Sequence, residues 1–570
     1  MAATTQGNKQ KKPVAGLVAI IVLVIAANIA AWFFHGQVDL TKDKRYTITE
    51  ATRKMLKGLD QKVEVLVFLD GDDLSAPFKR LSYSTEETLR HFRDISNNKV
   101  SYRVIDPLGK DTSALAILKK YHMEGIPVIR NDGKKGTSQQ MVFPWALITM
   151  VDKQGASVAY PVFLQESNTF TLGRQILLKS EMLLEYNLAN GIHQLSRAER
   201  PAIAYLTGNG EQFDPHIGAA LFTLQQFYRI DTFDIGQHTA IPSSFKAILV
   251  NRPTLAFDER DKFKIDQYVM NGGNVFWSLN TVTGTLDSLR SGHFNAMAVD
   301  LNLNDLLFSY GVRVNTNVIE DAVGHAFIPI QTSAANSASN MLPWVYFPVL
   351  AAGSDHPLVK HLDGVLGRFV SSIDFNTNDP AIQKTVLLAS SKYSRTEAAP
   401  LPIILQSAIE PLNPAAFPKQ NLAAAVLLEG NFSSPYATRR PIPVANMIDS
   451  LRLTVKTKAE HPGKMIVTGD ADILTNEYSE RKGPLEMGVY MFDQSTRYDN
   501  RSFLLNCMEY MTDEDNLLAA RNKSFDNRIL DPKIVEKERS KWQFINIGVP
   551  VIAILLLGSV FSFVRKRKYA

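Results

Sequence analysis

Two charge-free hydrophobic runs, one near each end, constrain this chain more than any other feature. Val14–Phe34 and Phe544–Val564 each hold 21 residues without a single Asp, Glu, Lys or Arg. As a helix, a run of that length reaches about 31 Å, matching a hydrocarbon core of roughly 30 Å. A charge at the centre of such a helix costs about 2.5–3.5 kcal/mol on insertion. Its absence from both runs therefore predicts two transmembrane helices. The first does not read as a cleaved leader. Cleavable apolar regions run to about 7–15 residues and end at small side chains, whereas this one ends in Trp32, Phe33 and Phe34.

The flanking cations set an orientation. Lys9, Lys11 and Lys12 precede the first run, and Arg565, Lys566, Arg567 and Lys568 follow the second. By the positive-inside rule both tails, 1–13 and 565–570, are cytoplasmic. Residues 35–543 then lie outside, in the periplasm of a bacterial inner membrane, with Trp32 and Trp542 at the outer interface. The formal charge of +5 is a by-product of those tails, which carry seven cations and leave the rest of the chain at −2. That balance excludes a nucleic-acid footprint. Cys507 is the only cysteine, so no intrachain disulfide exists, and it reads as a small buried apolar residue.

The outer region divides into two α/β domains. In the first (35–198), Thr49 opens a short helix and Val63–Leu69 is a β-rich run ending at Asp70-Gly71-Asp72-Asp73. Ser84 and Glu87 have the spacing of a capping box, with Leu89, Phe92 and Ile95 at helical intervals behind them. A strand at 100–105, a helix at 112–122, Gly125-Ile126-Pro127, strands near 140–151 and 157–164 and a helix at 175–196 complete a thioredoxin-like order. Ile126-Pro127 falls where that fold often carries a cis proline, and the lack of cysteine excludes thiol redox chemistry.

The second domain (199–520) alternates strand and helix at the pace of a doubly wound parallel sheet. Strands are predicted at 202–206, 247–250, 274–279 and 465–468, with a helix placing Ile217, Leu221, Leu224 and Tyr228 on one stripe. Asp258 and Asp261 start another helix that Gly272 ends. Residues 330–460, rich in Ser, Asn, Ala and Pro, read as a large insertion, with one domain or two left open. A helix near 500–511 closes the domain, and 521–543 is a charged stalk returning to the membrane.

Gly208-Asn209-Gly210-Glu211 follows a strand and precedes a helix, where phosphates and substrates bind in such folds. It lacks the third glycine of the dinucleotide fingerprint, position 213 being Phe. It therefore reads as either a structural turn or a ligand loop. Asp470-Ala471-Asp472, also after a strand, resembles a carboxylate pair for a hard cation, but no third ligand is identifiable. Asp at a helix start explains it equally. The eleven histidines show no metal-binding spacing, and no nucleophile elbow is present. The chain thus reads as non-catalytic, with no cofactor and no metal.

Inside the membrane the signals concern packing. Ala15, Ala19, Ala26 and Ala30 share one face of the first helix, and small residues let another helix approach closely. Asn28 and Asn546 are polar groups at membrane depth, and Pro550 permits a kink. The two helices pair either with each other or with a separate membrane protein.

Longer stretches carry a family resemblance. They are Lys62–Gly71, Phe143-Pro144-Trp145-Ala146, Gly208–Glu211, Lys262–Gly273, Leu301–Phe308, Tyr310-Gly311-Val312-Arg313, Leu427-Leu428-Glu429-Gly430 and Arg565–Tyr569. Together they resemble the gliding-motility-associated auxiliary, or "substrate-binding", subunit of ABC transporters, the GldG family. The resemblance implies a partner permease in the membrane, a cytoplasmic ATPase reached through it, and a role in gliding motility or protein secretion. It also implies a class I glutamine amidotransferase-like scaffold for the second domain. That class places its cysteine nucleophile at a strand-to-helix elbow, whereas Cys507 lies in a predicted helix, so the activity is not carried over. The family pattern leads one to expect Asp-Gly-Asp where this chain has Asp470-Ala471-Asp472. Two other readings stay open: a tethered envelope enzyme using Glu211 and Asp472, and a tethered protein that binds a small ligand.

Overall fold

A computed structural model gives the fold. It describes residues 21–25 and 47–569, apart from 72, 110–112, 132–136, 152–154, 166–172, 198, 285–287, 289–291, 332–338, 377–379, 480–482, 495, 514–516 and 523–531.

The chain enters its folded body through α1 (Glu50–Lys57), whose cap Thr49 accepts from the Thr52 amide as its sequence suggests. There follow β1 (Val63–Val67), α2 (Ala76–Ile95), β2 (Val100–Val104), α3 (Ser113–Lys120), β3 (Ile126–Asn131), β4 (Thr137–Val142), β5 (Trp145–Val151), β6 (Ser157–Phe163) and α4 (Gly173–Ser196). Four strands make one sheet in the order β2-β1-β5-β6, with β1 parallel to β2 and antiparallel to β5. Alternation along β1 puts Val63, Val65 and Val67 in the core beneath α2 and α4. Leu66 and Phe68 face the other way, onto Ala114 and Leu118 of α3.

Two local expectations need correction. The helix does not start at Ser84. It begins at Ala76, after Ser75, with a proline in its first turn, where a missing N–H costs nothing. Ser84 is therefore mid-helix, and its carbonyl accepts from Thr88 Oγ1 at 2.8 Å. Pro127 lies in the β3–β4 hairpin, a separate two-stranded sheet, and its peptide is not cis; the cis peptide among the described residues is Ala399–Pro400.

The second sheet contains β7 (Ala202–Thr207), β8 (Arg229–Asp234), β9 (Phe245–Asn251), β10 (Asn274–Ser278), β11 (His325–Gln331), β12 (Ser339–Ala352), β13 (Ile382–Ala389), β14 (Ala423–Gly430) and β15 (Gly463–Thr468). Its order is β11-β12-β13-β14-β15-β10-β9-β7-β8, with the short strand Val365–Leu366 paired to β12. Strands β8, β7, β9, β10 and β15 run parallel. From β14 outward the pairing is antiparallel. Residues 330–460 thus supply β12, β13, β14 and the short strand Val365–Leu366 to this same sheet.

Both faces of the parallel half are covered, which is why its strands are continuously apolar. Ala204 and Leu206 face a core capped by Phe263 and Val269 of α6 (Glu259–Met270). Ile203 and Tyr205 face the opposite core, beneath Ile217 and Leu224 of α5 (Pro215–Gln225) and Phe503 and Met508 of the helix Asn500–Thr512. Asp258 caps α6 by accepting from the Asp261 amide at 2.8 Å. Cys507 is buried in that second core, and burial pushes its thiol pKa up.

The C-terminal helix, Pro532–Tyr569, is continuous through the second half of the expected stalk and the second hydrophobic run. Its Glu538–Arg567 portion is long and apolar enough to cross a membrane, and none of that window is buried. Asn546 is exposed on it and Pro550 lies within it. Of the first run only Ile21–Ile25 is described, as helix with exposed side chains. Ala15, Ala19, Ala26, Asn28 and Ala30 lie outside the described residues.

Candidate functional site

In a doubly wound sheet, the loops at the carboxyl ends of the strands meet where the strand order reverses, and ligands bind there. Here that point lies between β7 and β9. The turn after β7 is Gly208-Asn209-Gly210-Glu211, and the turn after β15 is Asp470-Ala471-Asp472. The structure brings the two motifs to one edge.

The glycines of the first turn are required by its geometry. Gly208 has φ +125° and Gly210 φ +74°, a region costly for residues with a Cβ. A Cβ on Gly210 would also collide with Thr254 Oγ1, because the loop after β9 lies directly over the turn. The Asn209 carbonyl accepts from the amides of Thr254 (3.1 Å) and Leu255 (2.9 Å). Thr254 Oγ1 donates to the Gly210 carbonyl at 3.0 Å. Glu211 turns back, and its Oε2 accepts from the Asn209 amide at 2.7 Å. Burial raises the pKa of Glu211 against those backbone hydrogen bonds. Its Oε1 and the Asn209 Oδ1 are buried without a partner among the described residues.

Arg252 joins the two turns. It follows β9 with φ +50°, and its Nη1 donates to Asp472 Oδ1 at 2.9 Å and to Gln212 Oε1 at 3.3 Å. Asp470 is buried and accepts from the backbone amides of Arg368 and Asp472, both at 2.7 Å. Burial, reinforced by the neighbouring Asp472 carboxylate, holds the Asp470 pKa well above the usual carboxylate range. Asn280 Oδ1 accepts from the Ala471 amide at 2.7 Å. Arg368 donates to Glu477 through Nη2 and lies over the Phe347 ring, while its Nε is buried without an acceptor among the described residues.

Chemically, this edge is a knot of loops. Asp472 is spent on Arg252, Glu477 on Arg368, and Asp470 and Glu211 on backbone amides. Among the described residues no three His, Cys, Asp or Glu side chains gather to hold a metal ion. Sequence reasoning found both turns but missed Arg252 and Arg368. The one available signal for Arg252 was a cation immediately after a buried strand. Around the knot, Phe213 is 62% exposed and Leu255 59%, so its rim presents apolar side chains to solvent.

Comparison with known proteins places the chain. The family model described as an ABC-type uncharacterized transport system matches residues 200–507. A second model, for a domain of unknown function, matches residues 42–149. A protein of Borreliella burgdorferi, itself described as uncharacterized, is 22% identical over 557 residues, covering 96% of both chains. Among solved structures, the mmIFT52 N-terminal domain aligns with 55% of this chain and 97% of its own at TM-score 0.30 and 13% identity. An exo-β-1,4-mannosidase from an Opitutaceae bacterium aligns with 77% of this chain and 49% of its own at TM-score 0.21 and 8% identity. Neither likeness is close enough to carry an argument. With more than half of its length matched by the first model, this chain belongs to the auxiliary-protein family of ABC-type transport systems.

Proposed function

We propose that this protein is a non-catalytic subunit, anchored in the bacterial inner membrane by both terminal runs, that docks on an ABC permease and holds residues 35–543 in the periplasm. The observation that carries this reading is one chain combining the transport-family match over 200–507 with an apolar, unburied helix long enough for a bilayer. The cytoplasmic ATPase is reached through the permease, as the resemblance to GldG proteins implies. The resemblance to GldG proteins supports a role in gliding motility or protein secretion, with Asn546 and Pro550 on the permease-facing helix.

The strand order β2-β1-β5-β6 supports a thioredoxin-like reading of the first domain. The parallel order β8-β7-β9-β10-β15 supports an amidotransferase-like scaffold for the second. Cys507 is buried within the helix Asn500–Thr512 rather than in a strand-to-helix turn, which favours a scaffold without that chemistry. The knot at the carboxyl edge serves, in this reading, to fix the apolar rim of Phe213 and Leu255 as a surface for cargo or partners.

The test is purification of the full chain from native membranes in mild detergent. A polytopic permease and an ATPase recovered with it in fixed ratio are expected. Recovery as a lone monomer under conditions that keep other ABC complexes intact contradicts the reading.

A further inference from the structure

A second site lies away from the knot, where the two α/β layers meet. A half-open pocket of about 920 Å³ is walled by the end of α1, strands β5 and β6, the residues closing α4, and the turn before β8. That volume falls in the range of about 300–1,000 Å³ typical of small-molecule sites. One wall is apolar: Met55, Met150, and the rings of Tyr160 and Phe227, whose centroids are 5.8 Å apart.

The opposite side is basic. Arg197 follows the last turn of α4, and Arg200 stands on the exposed rim, its Nη1 donating to the Gln225 carbonyl at 2.9 Å. Arg197 lines the pocket, and its Nη1 has no acceptor among the described residues. A buried cationic N–H without a partner costs free energy that an anion placed there would recover. Glu509 is near enough to interact electrostatically with Arg197, but its Oε2 already accepts from the Tyr186 hydroxyl. Asp60 and Glu199 also line the pocket, but both are exposed to solvent, where their charges are screened.

From this geometry we propose that the pocket binds a small organic anion, a carboxylate or phosphate carried on an apolar or aromatic body, with Arg197 on the anionic group and Tyr160 and Phe227 on the body. The site goes beyond the auxiliary role and does not depend on it.

Full-length protein in lipid nanodiscs tests this by calorimetric titration with 1-naphthoate and phenyl phosphate, and with neutral 1-naphthalenemethanol, subtracting partition into empty discs. Saturable binding of the two anions is expected, with the neutral alcohol weaker by about tenfold or more, the scale of one charge-assisted hydrogen bond. Arg197→Gln should lower anion affinity by a similar factor, about tenfold. If that variant misfolds, Arg200→Gln on the exposed rim takes its place, with an expected loss of about threefold. Absence of anion binding, equal binding of the alcohol, or unchanged affinity in the folded variants would each overturn the proposal.

Discussion

Arg252 and Asp472, 220 residues apart in sequence, are joined by a 2.9 Å hydrogen-bonded ion pair that ties the loop after β9 to the loop after β15. Both side chains are largely buried, at 17% and 7% exposed. Removing one partner of such a pair leaves the other charge uncompensated, at a cost of about 3 kcal/mol. Arg252→Asn keeps a residue that tolerates positive φ and isolates that loss. Chemical denaturation of the variant should show a fall of about that size, and Arg252→Asn/Asp472→Asn should regain part of it. Were the single variant as stable as wild type, the knot would not be structural.

Gly210→Ala should destabilise by about 1–3 kcal/mol, from positive φ and from contact with Thr254. Combining it with Thr254→Ala should recover only the steric part. Thermal melts of the two variants separate the contributions.

Stability should fall as pH rises through the range set by buried carboxyl groups, Asp470 of the site among them. Burial pushes Glu509 up to about 7 and Asp266 up to about 6, each opposed by hydrogen bonds, from the Tyr186 hydroxyl to Glu509 and from Ser434, Tyr310 and Gln267 to Asp266. The unfolded chain releases these protons near the ordinary carboxyl values of 4.5 and 3.8. Between those values and the folded ones, the native state binds more protons, so raising pH favours unfolding. Melting temperature should therefore decline between about pH 5 and 7.5, and Glu509→Gln should flatten the decline. An unchanged slope in that variant would assign the dependence elsewhere.

The first layer should not melt separately from the second. Tyr186 of α4 belongs to the same core as Phe503 and Met508, and its hydroxyl donates to Glu509. A single calorimetric transition for the body 46–523 is expected. Tyr186→Phe, which leaves Glu509 buried without that donor, should lower the transition temperature as a whole rather than split it.

What the sequence made legible follows from where the physics is local. Strands buried on both faces, such as Ala202–Thr207 and Gly463–Thr468, announce themselves as apolar runs. The caps Thr49 and Asp258 act within three residues, and both turned out as read. The start of α2 was hidden by a competing signal, because Ser84 and Glu87 have capping-box spacing yet sit mid-helix. β12 runs for 14 residues through Pro343 and Pro348, a composition that argues against a strand, and its pairing with β13 joins Ala352 to Leu388, which no local signal announces. At the site, each turn was visible because glycine and aspartate mark turns locally. Arg252 was not, since nothing within one segment says that its acceptor lies 220 residues away.

In the proposed complex the C-terminal helix contacts a permease within the bilayer. Site-specific photo-crosslinking in living cells, with the reactive residue placed at Asn546 and then at successive positions around that helix, tests it most directly. Adducts to one polytopic membrane protein are predicted, confined to one face and including Asn546. Adducts to lipid or to this chain alone, at every position around the helix, would contradict the account.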